Sequence, residues 1–142
     1  VNAQKYLQQI RVLDTKIRQK EEQIESLKLS ADGAGAIRYD KDIVQVSKVD
    51  SKMESIVVQY VAIEEEVKKQ KLHLEQMKQI IIDQIQELTD DRYINVLFKR
   101  YVQIKSYELI AVEMNYSFDY VKELHRDALE EFRLQHPTLS HL

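Results

Sequence analysis

Apolar residues return at steps of three and four along the first part of the chain. Tyr6, Ile10, Leu13, Ile17, Ile24 and Leu27 share one stripe, with Lys20 in a slot the pattern skips. Gln, Lys, Arg and Glu fill the intervening positions, all good helix formers where water reaches them. This spacing predicts a helix over residues 2–29. Ser30-Ala31-Asp32-Gly33-Ala34-Gly35 holds both glycines of the chain and is expected to end it. Ile43, Val44 and Val46 follow without a clean period, so residues from about 30 to 48 read as a connector.

A second stripe begins at Met53 and runs through Ile56, Tyr60, Ile63, Val67, Leu74, Met77 and Ile81 to Leu88, with Gln70 and Gln84 at skipped positions. One stripe on each of two long helices needs a partner, and the simplest arrangement is an antiparallel, coiled-coil-like hairpin. The second helix is the longer. Ile80, Ile81 and Ile85 therefore overhang, and are expected to bury themselves on the C-terminal region or on another subunit. Lys20, Gln70 and Gln84 are candidates for setting register at a cost in stability.

From Thr89 the heptad stops and aromatics gather: Tyr93, Phe98, Tyr101, Tyr107, Tyr116, Phe118, Tyr120 and Phe132 are eight of the chain's eleven. This reads as a compact core built from three short helices. Asp90 or Thr89 caps the first, running to about Val102; Ser106 caps the second, to about Met114; Ser117 caps the third, to about Leu134, before Pro137. The predicted fold is all-α: a helical hairpin over 1–88, a three-helix module over 89–135 and a tail over 136–142.

Composition narrows the function. Two Gly and one Pro in 142 residues disfavour strand–turn folds and Gly-rich phosphate loops, and zero Cys excludes disulfides and thiolate metal sites. No apolar run approaches the ~18 residues of a membrane span. The net charge of −3 argues against a basic nucleic-acid coat. His73, His125, His136 and His141 lack the spacing of a metal site, and runs such as Glu64-Glu65-Glu66 read as the wet face of a helix. No nucleophile–base set appears, so neither an enzyme nor a cofactor is expected.

The most specific signal lies between Tyr107 and Leu124. Ala111 supplies the small side chain where two helices approach, and Asn115, four places on, tolerates the positive φ of a tight turn. Val121 and Leu124 then turn inward, three apart. This is the spacing of a helix-turn-helix, a geometry used for DNA and also for protein contacts. Seven Lys/Arg oppose nine Asp/Glu from residue 89 onward, which favours the protein-contact alternative.

Lys99-Arg100-Tyr101, Ile110-Ala111-Val112-Glu113-Met114, Tyr116-Ser117, Val121, Leu124-His125 and Ala128-Leu129 resemble the C-terminal half of phage and prophage transcriptional regulators of the ArpU/RinA type. That half is similar to region 4 of bacterial sigma factors. Tyr6-Leu7, Ile10, Leu13-Asp14, Ile17 and Leu27 resemble the family's first helix, and Val44-Gln45 with Ser47 its connector. Asn115 stands where the family usually has Gly, and Asp119, Glu123 and Asp127 where it tends to place Arg and Lys. The resemblance implies a cytoplasmic regulator in a bacterial host. It would bind double-stranded promoter DNA, with RNA polymerase as a second partner. The hairpin is a candidate homodimer surface.

On that reading the DNA contacts come from the third helix and the entry to the second. Phe118, Asp119, Tyr120, Lys122, Glu123, His125 and Arg126 are left outward once Val121, Leu124, Ala128 and Leu129 turn in. Lys122 and Arg126, four apart, suit phosphate or guanine, and Phe118 or Tyr120 a thymine methyl group. Ser117 is a cap that can also donate to phosphate. Lys105 and Ser106, with Lys99 and Arg100 nearby, are candidate backbone clamps. The alternatives are a module that docks on RNA polymerase or another factor without reading DNA, and a structural coiled-coil protein of the virion.

Overall fold

The computed structural model describes residues 3–36 and 43–139, and every regular element among them is helical. In chain order these are α1 (Ala3–Leu7), α2 (Gln9–Ala36), α3 (Ile43–Gln86), α4 (Asp91–Leu97), a π-helical turn (Phe98–Val102), α5 (Tyr107–Met114) and α6 (Phe118–Gln135). Among the described residues no helix is long and apolar enough to cross a membrane.

The long helices exceed their expected bounds. α2 passes through Gly33 and Gly35 to Ala36, and α3 begins at Ile43 rather than near Met53. A glycine inside a helix costs only about 1 kcal/mol, and Ala31, Ala34 and Ala36 are the best helix formers. β-branching at Ile43, Val44 and Val46 lowers propensity only slightly. The connector expected over about 30–48 is thus helical at both ends, and its middle, 37–42, lies outside the described residues.

The chain divides into two compact units along a line other than the expected 1–88/89–135 boundary. One unit holds residues 1–14 and 74–142, the other residues 15–73. α2 and α3 contribute to both.

The second unit holds α2 from Thr15 to its end and α3 as far as His73. Ile17, Ile24 and Ala31 on α2, with Ile56 and Val67 on α3, are buried. Lys20 Nζ reaches Glu66 Oε1 at 2.9 Å, Lys71 Nζ reaches Glu21 Oε2 at 3.2 Å, and the Lys28 ammonium lies over the Tyr60 ring. Lys20 thus occupies its skipped slot by sending its charge to Glu66. Gln70 differs: its Oε1 is buried and has no hydrogen-bond partner among the described residues.

The first unit is built around α6, on which α1, α4 and α5 all pack. Phe132, Leu7, Ile10, Ile81, Ile85, Leu97, Ile110, Val96 and Val121 are fully buried. Ile81 and Ile85 are therefore covered as the overhang required, whereas Ile80 stays 55% exposed. The Tyr6 hydroxyl donates to Gln84 Oε1 at 2.5 Å, and the Tyr6 ring lies 6.1 Å from that of Phe132. His136 continues the stack on Phe132 and meets the Gln84 carbonyl oxygen at 3.2 Å. Gln84, like Lys20, is a polar seam residue that finds a partner. Ser140, His141 and Leu142 of the expected tail lie outside the described residues.

Loss of the partner of Gln84 and loss of the Gln70 amide should have opposite effects. Tyr6→Phe removes the donor to a half-buried amide oxygen and should lower the free energy of unfolding by about 1–2 kcal/mol. Gln70→Leu removes an unpaired buried oxygen and should raise it by about 1 kcal/mol or more. Urea unfolding followed by circular dichroism measures both.

Candidate nucleic-acid interface

Local chemistry sets the corner between α5 and α6. Ser106 Oγ accepts from the Leu109 amide at 3.2 Å, and Ser117 Oγ from the Tyr120 amide at 3.1 Å, so each serine caps the helix that follows it. At the end of α5, Asn115 adopts the left-handed conformation (φ 59°, ψ 40°). The Tyr116 amide then bonds back to the Ala111 carbonyl at 3.0 Å and the Asn115 amide to Val112 at 3.4 Å. This pair of bonds is a Schellman closure, which absorbs carbonyls that the last turn would leave unpaired. Ala111 is buried.

The approach to α5 carries more strain. The α-helix gives way after Leu97 to a wide turn closed by Gln103 N–H on the Phe98 carbonyl and Lys105 N–H on the Lys99 carbonyl, both at 3.0 Å. Between them Ile104 is left-handed, φ 57°. A β-branched residue there costs roughly 1–2 kcal/mol, and nothing in the sequence pattern announced it.

α6 presents two faces. Val121, Leu124, His125, Ala128 and Phe132 are buried. At 3.6 residues per turn, Asp119, Glu123, Arg126 and Glu130 lie opposite that stripe, all exposed. Lys122 stands beside them with its ammonium 5.3 Å from the Phe118 ring centroid. Phe118, Asp119, Lys122, Glu123 and Arg126 therefore share the accessible side, and Ser117 sits at its N-terminal edge.

Three candidates have other employment. His125 is buried rather than outward: Val121, Leu124, Ala128 and Phe132 surround it on the inner stripe. Tyr120 is half-buried; its hydroxyl accepts from Arg92 Nη1 at 2.8 Å, and its ring meets that of Tyr116 edge-on. Arg92 also forks onto Asp90, the cap of α4, so Tyr120 closes a clasp between α4 and α6. Lys105 is held by both carboxylate oxygens of Glu113, at 2.8 and 2.9 Å. Lys99 reaches the same Glu113 at 2.8 Å, and the two ammonium groups hold that carboxyl below the usual range. Sequence reasoning missed Arg92 and Glu113 as partners, because each pairing joins segments that the chain order separates.

His125 is the centre of an aromatic cage. Tyr101 stacks on it with its hydroxyl 2.6 Å from Nε2, and Tyr107 meets it edge-on with its hydroxyl 3.5 Å from Nδ1. The Arg100 guanidinium covers the outer face of Tyr107, 4.1 Å from the ring centroid, and donates to the Lys105 carbonyl. Burial, helped by the Arg100 charge, lowers the imidazole to about 4. The ring is neutral at physiological pH, where one nitrogen donates and the other accepts. Burial pushes the Tyr101 hydroxyl well above its usual range. Among the described residues, no group of three or more His, Asp or Glu could hold a metal ion.

Two outcomes follow from this geometry. Ile104→Gly relieves the left-handed backbone and should raise unfolding free energy by about 1 kcal/mol in urea. The buried His125 binds its proton less well folded than unfolded, so its contribution is complete above about pH 6.5 and is lost as pH falls toward about 4. Melting temperature should therefore fall across that window, and His125→Gln should abolish that part of the slope. An unchanged slope would assign the acid loss to carboxylates such as Asp90 and Glu113 instead. No family model, curated protein or solved structure matches the chain.

Proposed function

We propose that this protein is a phage- or prophage-type transcription regulator that reads promoter DNA through a sigma region-4-like helix-turn-helix, with α6 as the recognition helix. In this reading residues 1–88 form a helical hairpin that joins two copies or recruits RNA polymerase. One observation carries it: the Ser117 cap and the Asn115 turn start α6 beside α5 while Phe118, Lys122 and Arg126 stay accessible on one side. A helix N-terminus with an exposed hydroxyl and two nearby cations suits phosphate and base-edge contact in a major groove.

A second reading, docking on polymerase or another factor without base contact, is favoured by a different observation. The row Asp119, Glu123, Glu130 faces outward, its cation Arg133 is tied to Glu130, and Glu113 neutralises Lys99 and Lys105. Carboxylates oppose a phosphate backbone.

Binding of labelled promoter duplexes, at low and physiological salt and with and without polymerase, separates the two. Ser117→Asp keeps an equally good cap but sets a carboxylate where phosphate would lie. It should leave the melting temperature within a few degrees and weaken duplex binding at least tenfold. Lys122→Glu with Arg126→Glu should do the same. Glu113→Gln frees two ammonium groups and should tighten binding severalfold. Wild-type protein that binds no duplex under any of these conditions excludes the promoter reading. Unchanged binding to polymerase in the Lys122/Arg126 variant then supports docking.

A further inference from the structure

The face of α3 turned away from α2 carries its own apolar and charged pattern. Val58, Val61, Glu65, Lys68 and Leu72 follow one another at steps of three, four, three and four, on the opposite side of α3 from the buried Ile56 and Val67. Val58 is 68%, Val61 47% and Leu72 62% exposed. A seam of this kind on the wet side of a helix has no role within the unit, whose core is already closed by α2.

From Val61 to Leu72 the order of residues along the seam reads as its own complement, while Val58 lies outside that span and falls opposite Glu75. About a point between Glu66 and Val67, Val61 mirrors Leu72, Glu65 mirrors Lys68, and on the flank Glu64 mirrors Lys69. A second α3 laid antiparallel at this register sets apolar against apolar and acid against base at every one of these positions. A parallel, in-register copy would set Glu65 on Glu65 and Lys68 on Lys68. The 3–4 spacing assigns Val61 and Lys68 to one seam position and Glu65 and Leu72 to the other, and antiparallel coiled coils pair those two positions across each layer. A two-fold axis through the centre makes both halves identical, as an isologous interface requires.

We propose that two copies of this chain associate through this outer face of α3, antiparallel, with Val61 against the partner's Leu72 and Glu65 against the partner's Lys68. In the single chain Lys68 folds back on its own Glu65 at 3.4 Å, an exposed contact between neighbouring turns. In the dimer each exchanges that contact for one across the interface. The central charged layers cost desolvation and fix the register. The matched face from Val61 to Leu72 is about 17 Å long, so the association is weak and concentration-dependent. The proposal takes from the functional reading only that the first half of the chain joins copies, and holds whether or not α6 reads DNA.

Sedimentation equilibrium from about 1 μM to about 1 mM is the first test, with the mass expected to rise from one chain toward two. Glu65→Lys alone and Lys68→Glu alone should each stay monomeric throughout, with helicity by circular dichroism unchanged. Their 1:1 mixture should form a heterodimer at least as tight as wild type, and the chain carrying both exchanges should dimerise again. The sense is read by cysteine pairing, since the chain has no cysteine of its own. Mixed Val61→Cys and Leu72→Cys chains should oxidise to the mixed disulfide in preference to either self-pair. Wild type monomeric throughout, single variants that still dimerise, or a mixture that stays monomeric each overturns the proposal. Preferential self-pairing of Val61→Cys overturns the antiparallel register. None of these outcomes depends on promoter binding, which the Ser117 and Lys122/Arg126 variants test separately.

Discussion

Phe132, Val121 and Ala128 are removed entirely from solvent, and α1, α4 and α5 each meet α6 along the stripe they define. Each large apolar side chain buried there contributes roughly 1.5–3 kcal/mol. The same stripe decides the site, because a helix that turns one face inward has no freedom over what it turns outward. Asp119, Lys122, Glu123 and Arg126 are accessible because Val121, Leu124, His125 and Ala128 are not. The Asn115 turn and the Ser117 cap set where α6 begins, and its apolar stripe sets its rotation.

Legibility in the sequence followed the range of the forces. Asp90, Ser106, Ser117 and Asn115 act on amides within three or four residues, so the caps and the turn could be read from adjacent letters. Gly33 and Gly35 misled because punctuation is a small energy: two glycines weaken a helix without ending it when alanines flank them. The π-helical turn and the left-handed Ile104 were not legible at all. They lie in the segment that carries Tyr101 to His125, a pairing 24 residues apart that no local window contains. The union of residues 1–14 with the C-terminal region is likewise long-range, carried by Tyr6 on Gln84 and Phe132.

His125 shows how polar lettering disguises a core position. At steps of four from Val121 and one from Leu124 it belongs to the inner stripe by period, yet a titratable ring on a presumed recognition helix invites a contact role. Tyr101 and Tyr107 resolve the conflict by offering hydroxyls to its two nitrogens, and burial, helped by the positive field of Arg100 on Tyr107, keeps the ring neutral. A buried polar group is tolerated where partners meet it, and here the partners come from the distorted turn and from α5.

Charge must be counted in space rather than along the chain. Of the cations from residue 89 onward, Lys99 and Lys105 converge on Glu113, Arg92 forks onto Asp90, Arg133 pairs with Glu130, and Arg100 is committed to Tyr107 and a carbonyl. Lys122 and Arg126 remain exposed without an ion pair among the described residues. Two phosphate neutralisations release about two counterions, so one copy would gain a salt slope near −2, far short of the six to ten contacts that give firm binding. Two copies on one duplex double that figure and bring the entropy of the second binding event down to an intramolecular one. Promoter reading by a chain this acidic thus needs either a paired partner or a polymerase already on the DNA. The self-complementary face of α3 offers the first of these within the protein's own sequence.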